Sequence, residues 1–121
     1  MAQNLSIMLV EDEPLIAMML EDFLETLGHS IATTCDAVDA ALEWLEDGKP
    51  DLAILDVNVS GQAIWPVAEV LADRGVPIAL ATGGHVTDPP ERFANTPTLA
   101  KPFTIDRVEP VIAEAIAHAN A

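Results

Sequence analysis

Four apolar runs in this chain each end on a polar group, and their spacing leaves few folds open. Ile7-Met8-Leu9-Val10 runs into Glu11-Asp12, Leu52-Ala53-Ile54-Leu55 into Asp56, Ile78-Ala79-Leu80-Ala81 into Thr82, and Leu99-Ala100 into Lys101-Pro102. Short continuous apolar runs bounded by turn residues read as strands buried on both faces. Between them the period changes. Leu15, Ile16, Met19, Leu20, Phe23, Leu24 and Leu27 recur at helical spacing after Glu13-Pro14, and Gly28 stops that run in a C-terminal role. Alternating strands and helices joined by right-handed crossovers make a doubly wound parallel sheet with helices on both faces. All four polar groups then gather in the crevice at the carboxyl edge of the sheet, where ligands of open α/β sheets bind.

The pattern predicts strands over residues 5–10, 30–34, 51–55, 78–81 and 98–100, the second being the more polar and nearer an edge. Asp36 is expected to cap a helix with Val38, Ala41, Leu42 and Leu45 on its inner face and Asp47-Gly48 closing it. Ser60-Gly61 breaks the chain, and Pro66 suits the first turn of a third helix running to Arg74-Gly75. Asp88 and Glu91 have capping-box spacing around Pro89, but the fourth helix they open has room for barely two turns before Asn95. Thr104 is expected to cap the last helix, which Pro110 kinks unless the regular helix begins later.

Residues 1–121 read as one domain, and a hydrophobic fraction of 50% excludes disorder. Twenty acids against five bases give a formal charge of −15, a surface that repels nucleic acid and anionic lipid, so neither is an expected partner. No apolar stretch approaches the ~20 residues needed to cross a bilayer. Met1-Ala2-Gln3-Asn4 lacks the basic head of a signal peptide, so a cytoplasmic location is expected. Cys35 is the only cysteine, which rules out an intramolecular disulfide and suits a small buried hydrophobe.

The gathered groups suit phosphoryl chemistry. A hard divalent cation, Mg2+ or Mn2+, prefers oxygen ligands, and Glu11, Asp12, Asp56 and the backbone carbonyl of Asn58 can supply them. Without a cation the three carboxylates repel one another. With one they stay ionised, and Asp56 becomes an anchored nucleophile. In-line attack spreads charge over the equatorial oxygens, which the metal, the Lys101 ammonium and the Thr82 hydroxyl can share. Gly83 and Gly84 leave the face of the phosphoryl group open.

These residues resemble the receiver domain of two-component response regulators, and the resemblance covers essentially the whole chain. It implies a flavodoxin-like five-stranded sheet of order 2-1-3-4-5, here with a short fourth helix. Asp56 matches the phosphoacceptor, Glu11 and Asp12 the acid pair with Asp12 the direct metal ligand, Thr82 the switch hydroxyl, and Lys101 before Pro102-Phe103 the lysine of the site. The implied function is a phosphorylation-controlled switch that takes its phosphoryl group from a sensor histidine kinase or a phosphotransfer protein. It then acts on a downstream protein or serves as a phosphate sink, with no enzymatic activity beyond transfer to and loss from Asp56.

Two positions depart from the family's usual pattern. Thr98 stands where an aromatic is common, and Leu80-Ala81-Thr82-Gly83-Gly84 is similar to the Phe-Ala-Thr-Gly pattern of an atypical subgroup that includes single-domain members. Among the remaining candidates, His85 is expected to be a solvated loop residue, Phe103 a core plug, and Trp65 a packing residue, with a place over the site mouth as its alternative. His29 and His118 have no ligand-like spacing with His85. A phosphorylation-independent adaptor is the main competing function. A metal-dependent aspartyl-phosphate phosphatase is less favoured, because Asn58 stands where that chemistry needs a second Asp to donate a proton. A flavin module is disfavoured because Glu11-Asp12-Glu13 would repel the flavin phosphate.

Overall fold

The computed structural model describes residues 4–83 and 89–120. Five strands, β1 (Ser6–Val10), β2 (Ser30–Cys35), β3 (Leu52–Asp56), β6 (Ile78–Thr82) and β7 (Thr98–Ala100), form a parallel sheet of order β2-β1-β3-β6-β7. This is the expected order, with the fourth and fifth sheet strands being β6 and β7. A two-residue hairpin, β4 (Asn58–Val59) and β5 (Gln62–Ala63), stands apart from the sheet just after β3. The four α-helices among the described residues are α1 (Pro14–Thr26), α2 (Val38–Leu45), α3 (Trp65–Asp73) and α4 (Ile105–Ala119).

The strands' period of two sorts their side chains into two cores. Met8, Val10, Ala53, Leu55, Ile78 and Leu80 pack with α2 and α3, whereas Ile7, Leu9, Leu52, Ile54, Ala79 and Ala81 pack with α1 and α4. Burial on both faces explains why the central strands read as unbroken apolar runs. Each fully buried Leu or Ile contributes roughly 1.5–3 kcal/mol relative to exposure. β3 and β6 are buried through their first four residues, and both emerge at the last one, Asp56 and Thr82.

Pro14 opens α1, and Gly28, at φ 95 just past its end, takes the left-handed conformation a residue with a Cβ avoids. Ala17, Leu20 and Leu24 are its buried residues, but Leu15, which the spacing assigns to the inner face, is 80% exposed and Met18 63%. The apolar stripe of α1 is wider than the face it buries.

Two expected caps and one helix differ in the structure. Ala37, not Asp36, takes the N-cap position of α2 and makes no side-chain cap, while the Asp36 carbonyl accepts the Ser60 hydroxyl. Thr104 occupies the N-cap of α4, but its hydroxyl donates to the Asp106 carboxylate rather than accepting a backbone N–H. α4 runs as one helix from Ile105 through Pro110 to Ala119. In place of the short fourth helix there is a single 3-10 turn, Glu91–Phe93. Asp88, the expected cap, lies outside the described residues, as do Gly84 and His85. Pro90 and Pro97 bracket the described part of that stretch, and each lacks the backbone N–H that a residue inside a helix donates.

That turn is held against α3. Trp65 and Phe93 stack with centroids 5.6 Å apart and planes 13° from parallel, and Arg92 Nη1 reaches Glu69 at 2.5 Å and Asp73 at 2.9 Å. Trp65 therefore packs. Phe103 is buried, edge-on to Phe23, as a core plug. Cys35 is free and buried, and burial pushes its thiol pKa up, which keeps it protonated and unreactive.

Candidate functional site

Strand register brings the polar groups together. Val10 pairs with Leu55 and Asp56 with Ala81, so Glu11, Asp56 and Thr82 reach the same edge on three adjacent strands. Thr82 pairs in turn with Ala100, which sets Lys101 beside it, and the Lys101 N–H donates to the Thr82 carbonyl at 2.8 Å. The Lys101–Pro102 bond is cis.

Lys101 Nζ bridges two acids, lying 2.8 Å from Glu11 Oε1 and 3.2 Å from Asp56 Oδ2. The second oxygen of Glu11, Oε2, accepts the Glu13 N–H at 3.1 Å. Asp12 points elsewhere: its Oδ2 accepts the Ser60 N–H at 2.7 Å. Glu11, Asp12 and Asp56 nonetheless each offer an oxygen within 4.8 Å of the others.

One ammonium against three clustered carboxylates leaves an excess of negative charge, and the donor set is all oxygen. This suits a hard divalent cation. The same crowding holds the Asp56 carboxyl above its ordinary pKa of 3.8, at about 6. Burial is the main cause and the charge of Glu11 the next, with Lys101 opposing both. Burial also works to lower the Lys101 pKa, but its bonds to Glu11 and Asp56 outweigh that and hold it above the ordinary value.

Most of the expected residues meet at this edge. Thr82 is half-buried at the end of β6, and beside Gly83 the space is open, since a Cβ there would meet no heavy atom within 4 Å. Asn58 is exposed in the first position of the hairpin, two residues beyond Asp56. Thr98 is exposed on β7, so the position carries no aromatic group to move. His29 is far from the edge in sequence and in partners: it accepts the Leu5 N–H and its Nε2 lies 2.9 Å from Glu109.

Ser60 is a residue the sequence reading did not assign to the site. Its signal was present, because Ser-Gly between two short apolar-polar pairs is a two-residue hairpin turn. Ser60 and Gly61 both take positive φ, 51 and 81, as such a turn requires.

A doubly wound sheet with three acids, a lysine and a threonine at its carboxyl edge defines a receiver-type signalling domain. Residues 7–112 match the response regulator receiver domain family, and the chain belongs to that family. Its function class is the phosphorylation-controlled signalling switch of two-component systems. The chain is similar to SdrG from Sphingomonas melonis Fr1, at 51% identity and a TM-score of 0.82, covering 92% of this chain and 95% of that one. The BeF3-activated conformation of SdrG matches at a TM-score of 0.78. Among curated proteins, it is 32% identical to the transcriptional regulatory protein PdtaR of Mycobacterium tuberculosis over 91% of this chain and 56% of PdtaR. It is 33% identical to the phyllosphere-induced regulator PhyR of Methylorubrum extorquens over 91% of this chain and 43% of PhyR. The chain thus spans about half the length of the curated relatives it matches. No helix among the described residues is long and apolar enough to cross a membrane.

Proposed function

We propose that residues 1–121 form one receiver domain that accepts a phosphoryl group on Asp56 from a phosphohistidine of a sensor kinase or phosphotransfer protein. The observation that carries this reading is Lys101 Nζ held between Glu11 and Asp56 above a three-carboxylate cluster. A carboxylate oxygen of Asp56 attacks phosphorus in line, the new O–P bond forms as the P–N bond to imidazole breaks, and the product is an acyl phosphate. Lys101 is placed to turn from the Asp56 carboxylate to the new phosphoryl oxygens, since its second partner, Glu11, keeps it at the edge. Thr82, beside it in register, supplies a hydroxyl to another oxygen.

Asp12, Asp56 and Glu11, whose oxygens cluster, are the groups that would hold Mg2+ or Mn2+, with the Asn58 carbonyl, two residues past Asp56, as a further ligand. When bound, the cation neutralises the charge building on the phosphoryl oxygens. Hydrolysis of the acyl phosphate at the same site resets the switch, which makes this a self-limited transfer rather than turnover of a substrate. Output is by protein–protein contact, or by draining phosphate from the kinase.

Acetyl phosphate with Mg2+ is expected to add one phosphoryl group to the wild-type protein, seen by intact-mass spectrometry, and none to Asp56→Asn. Equal adduct in the two proteins would remove Asp56 from this role. Equal affinity for a captured partner with and without beryllofluoride would instead show a phosphorylation-independent adaptor.

A further inference from the structure

The hairpin after Asp56 is tied to the acid cluster at a single residue. The Ser60 N–H donates to Asp12 Oδ2 at 2.7 Å, and the Ser60 hydroxyl donates to the Asp36 carbonyl at 2.9 Å. Ser60 holds a left-handed backbone at φ 51, which residues with a Cβ disfavour, and Gly61 follows at φ 81. Its neighbours close the loop: β4 and β5 pair antiparallel, and the Ile64 N–H returns to the Val57 carbonyl at 2.9 Å. A strained residue whose amide and hydroxyl are both committed to other loops has a defined position, and the group it holds inherits that position.

We propose that Ser60 is a positioning residue for the cation site, an inference that rests on reading Asp12 as a cation ligand. Its backbone N–H fixes one oxygen of the Asp12 carboxylate and leaves Oδ1 to the metal. Its hydroxyl pins the hairpin tip to the loop between β2 and α2, so that the amide stays aimed at Asp12. An outer donor that orients a ligating carboxylate lowers the ordering cost of binding and partly screens its charge from Glu11 and Asp56. The hydroxyl is the anchor, and the N–H carries the effect on the metal.

Substitutions separate the two parts. Ser60→Gly and Ser60→Asn keep the N–H and tolerate positive φ, whereas Ser60→Pro removes the N–H and cannot take that φ. Isothermal titration with Mg2+ is expected to show a dissociation constant raised about tenfold or more in Ser60→Pro, and raised by less in Ser60→Gly and Ser60→Asn, which lose the hydroxyl anchor but keep the N–H. Metal-free melting temperatures report folding separately from metal affinity. Wild-type affinity in a folded Ser60→Pro overturns the proposal, and wild-type affinity in Ser60→Gly overturns the anchoring role of the hydroxyl.

A measurement on folded protein keeps the question open to refutation if the proline variant does not fold. In metal-free protein the Ser60 amide should exchange slowly with solvent by NMR, and faster in Asp12→Ala. Equal exchange rates in the two refute the contact on which the proposal stands. If wild type binds no Mg2+ at all, the cation-site reading fails and this inference falls with it. If wild type binds Mg2+ and takes up phosphoryl groups while Ser60→Pro binds equally well, the role of Ser60 alone is refuted.

Discussion

At the scale of single residues, Asp56 is the group whose chemistry is most altered by the fold. Its pKa rises from 3.8 to about 6, chiefly through burial and then through the charge of Glu11. The folded protein therefore holds a proton that the unfolded chain has already released, and the sign of the linkage follows. In chelator, the contribution of Asp56 is most favourable below about pH 4 and is lost as pH rises to about 6, where the penalty is complete. Melting temperatures measured across this window should fall with pH in the wild type and be flatter in Asp56→Asn. Adding Mg2+ at pH 7 should raise the wild-type melting temperature and move Asp56→Asn less. A wild-type profile no steeper than that of the variant would show that Asp56 is not strained. Lys101 is the counterweight: it is one ammonium serving two carboxylates, so it relieves the repulsion without cancelling it.

Among the elements, the segment between β6 and β7 departs furthest from the sequence expectation. A 3-10 turn stands where a short helix was anticipated, and it is fastened to α3 by one aromatic stack and one arginine. The two fastenings differ in kind. Phe93 is 4% exposed in the core shared with α2 and α3, so Phe93→Ala should destabilise the protein by about 3–5 kcal/mol in urea unfolding. Arg92 lies at the surface, where solvent and salt screen its pairs, so Arg92→Ala should have a smaller effect that shrinks further at high salt. The Trp65 fluorescence should respond to Phe93→Ala because the rings stack, and an unchanged spectrum would mean the stack does not persist in solution. The β4–β5 hairpin is the other local departure. Ser-Gly signals a turn in any sequence, but only the folded chain shows that the turn's amide meets a carboxylate 48 residues earlier.

For the molecule as a whole, the charge balance sets behaviour that no single contact explains. Twenty acids and five bases give −15, and much of that charge lies on a surface where self-repulsion opposes the compact state. Raising ionic strength from about 0.01 to about 0.2 M shortens the Debye length from roughly 30 Å to less than 10 Å and should raise the metal-free melting temperature by several degrees. A melting temperature that fell with salt would mean that ion pairs such as Lys101–Glu11, rather than net repulsion, dominate the balance.

The sequence by itself determined the strands, their approximate ends and the identity of the edge groups. Strands buried on both faces must be apolar throughout, and a polar residue at the end of each run marks where the chain leaves the core. That physical link between burial and composition made Glu11, Asp12, Asp56, Thr82 and Lys101 legible as a set. The tertiary structure decided how the acids divide: Glu11 and Asp56 share Lys101, while Asp12 turns to the Ser60 amide. It also decided that Leu15 faces outward and that Ala37 rather than Asp36 takes the N-cap of α2. Those outcomes depend on side-chain competition between segments far apart in the chain, where a carboxylate takes the nearest unpaired donor. Local pattern carries no record of that distance.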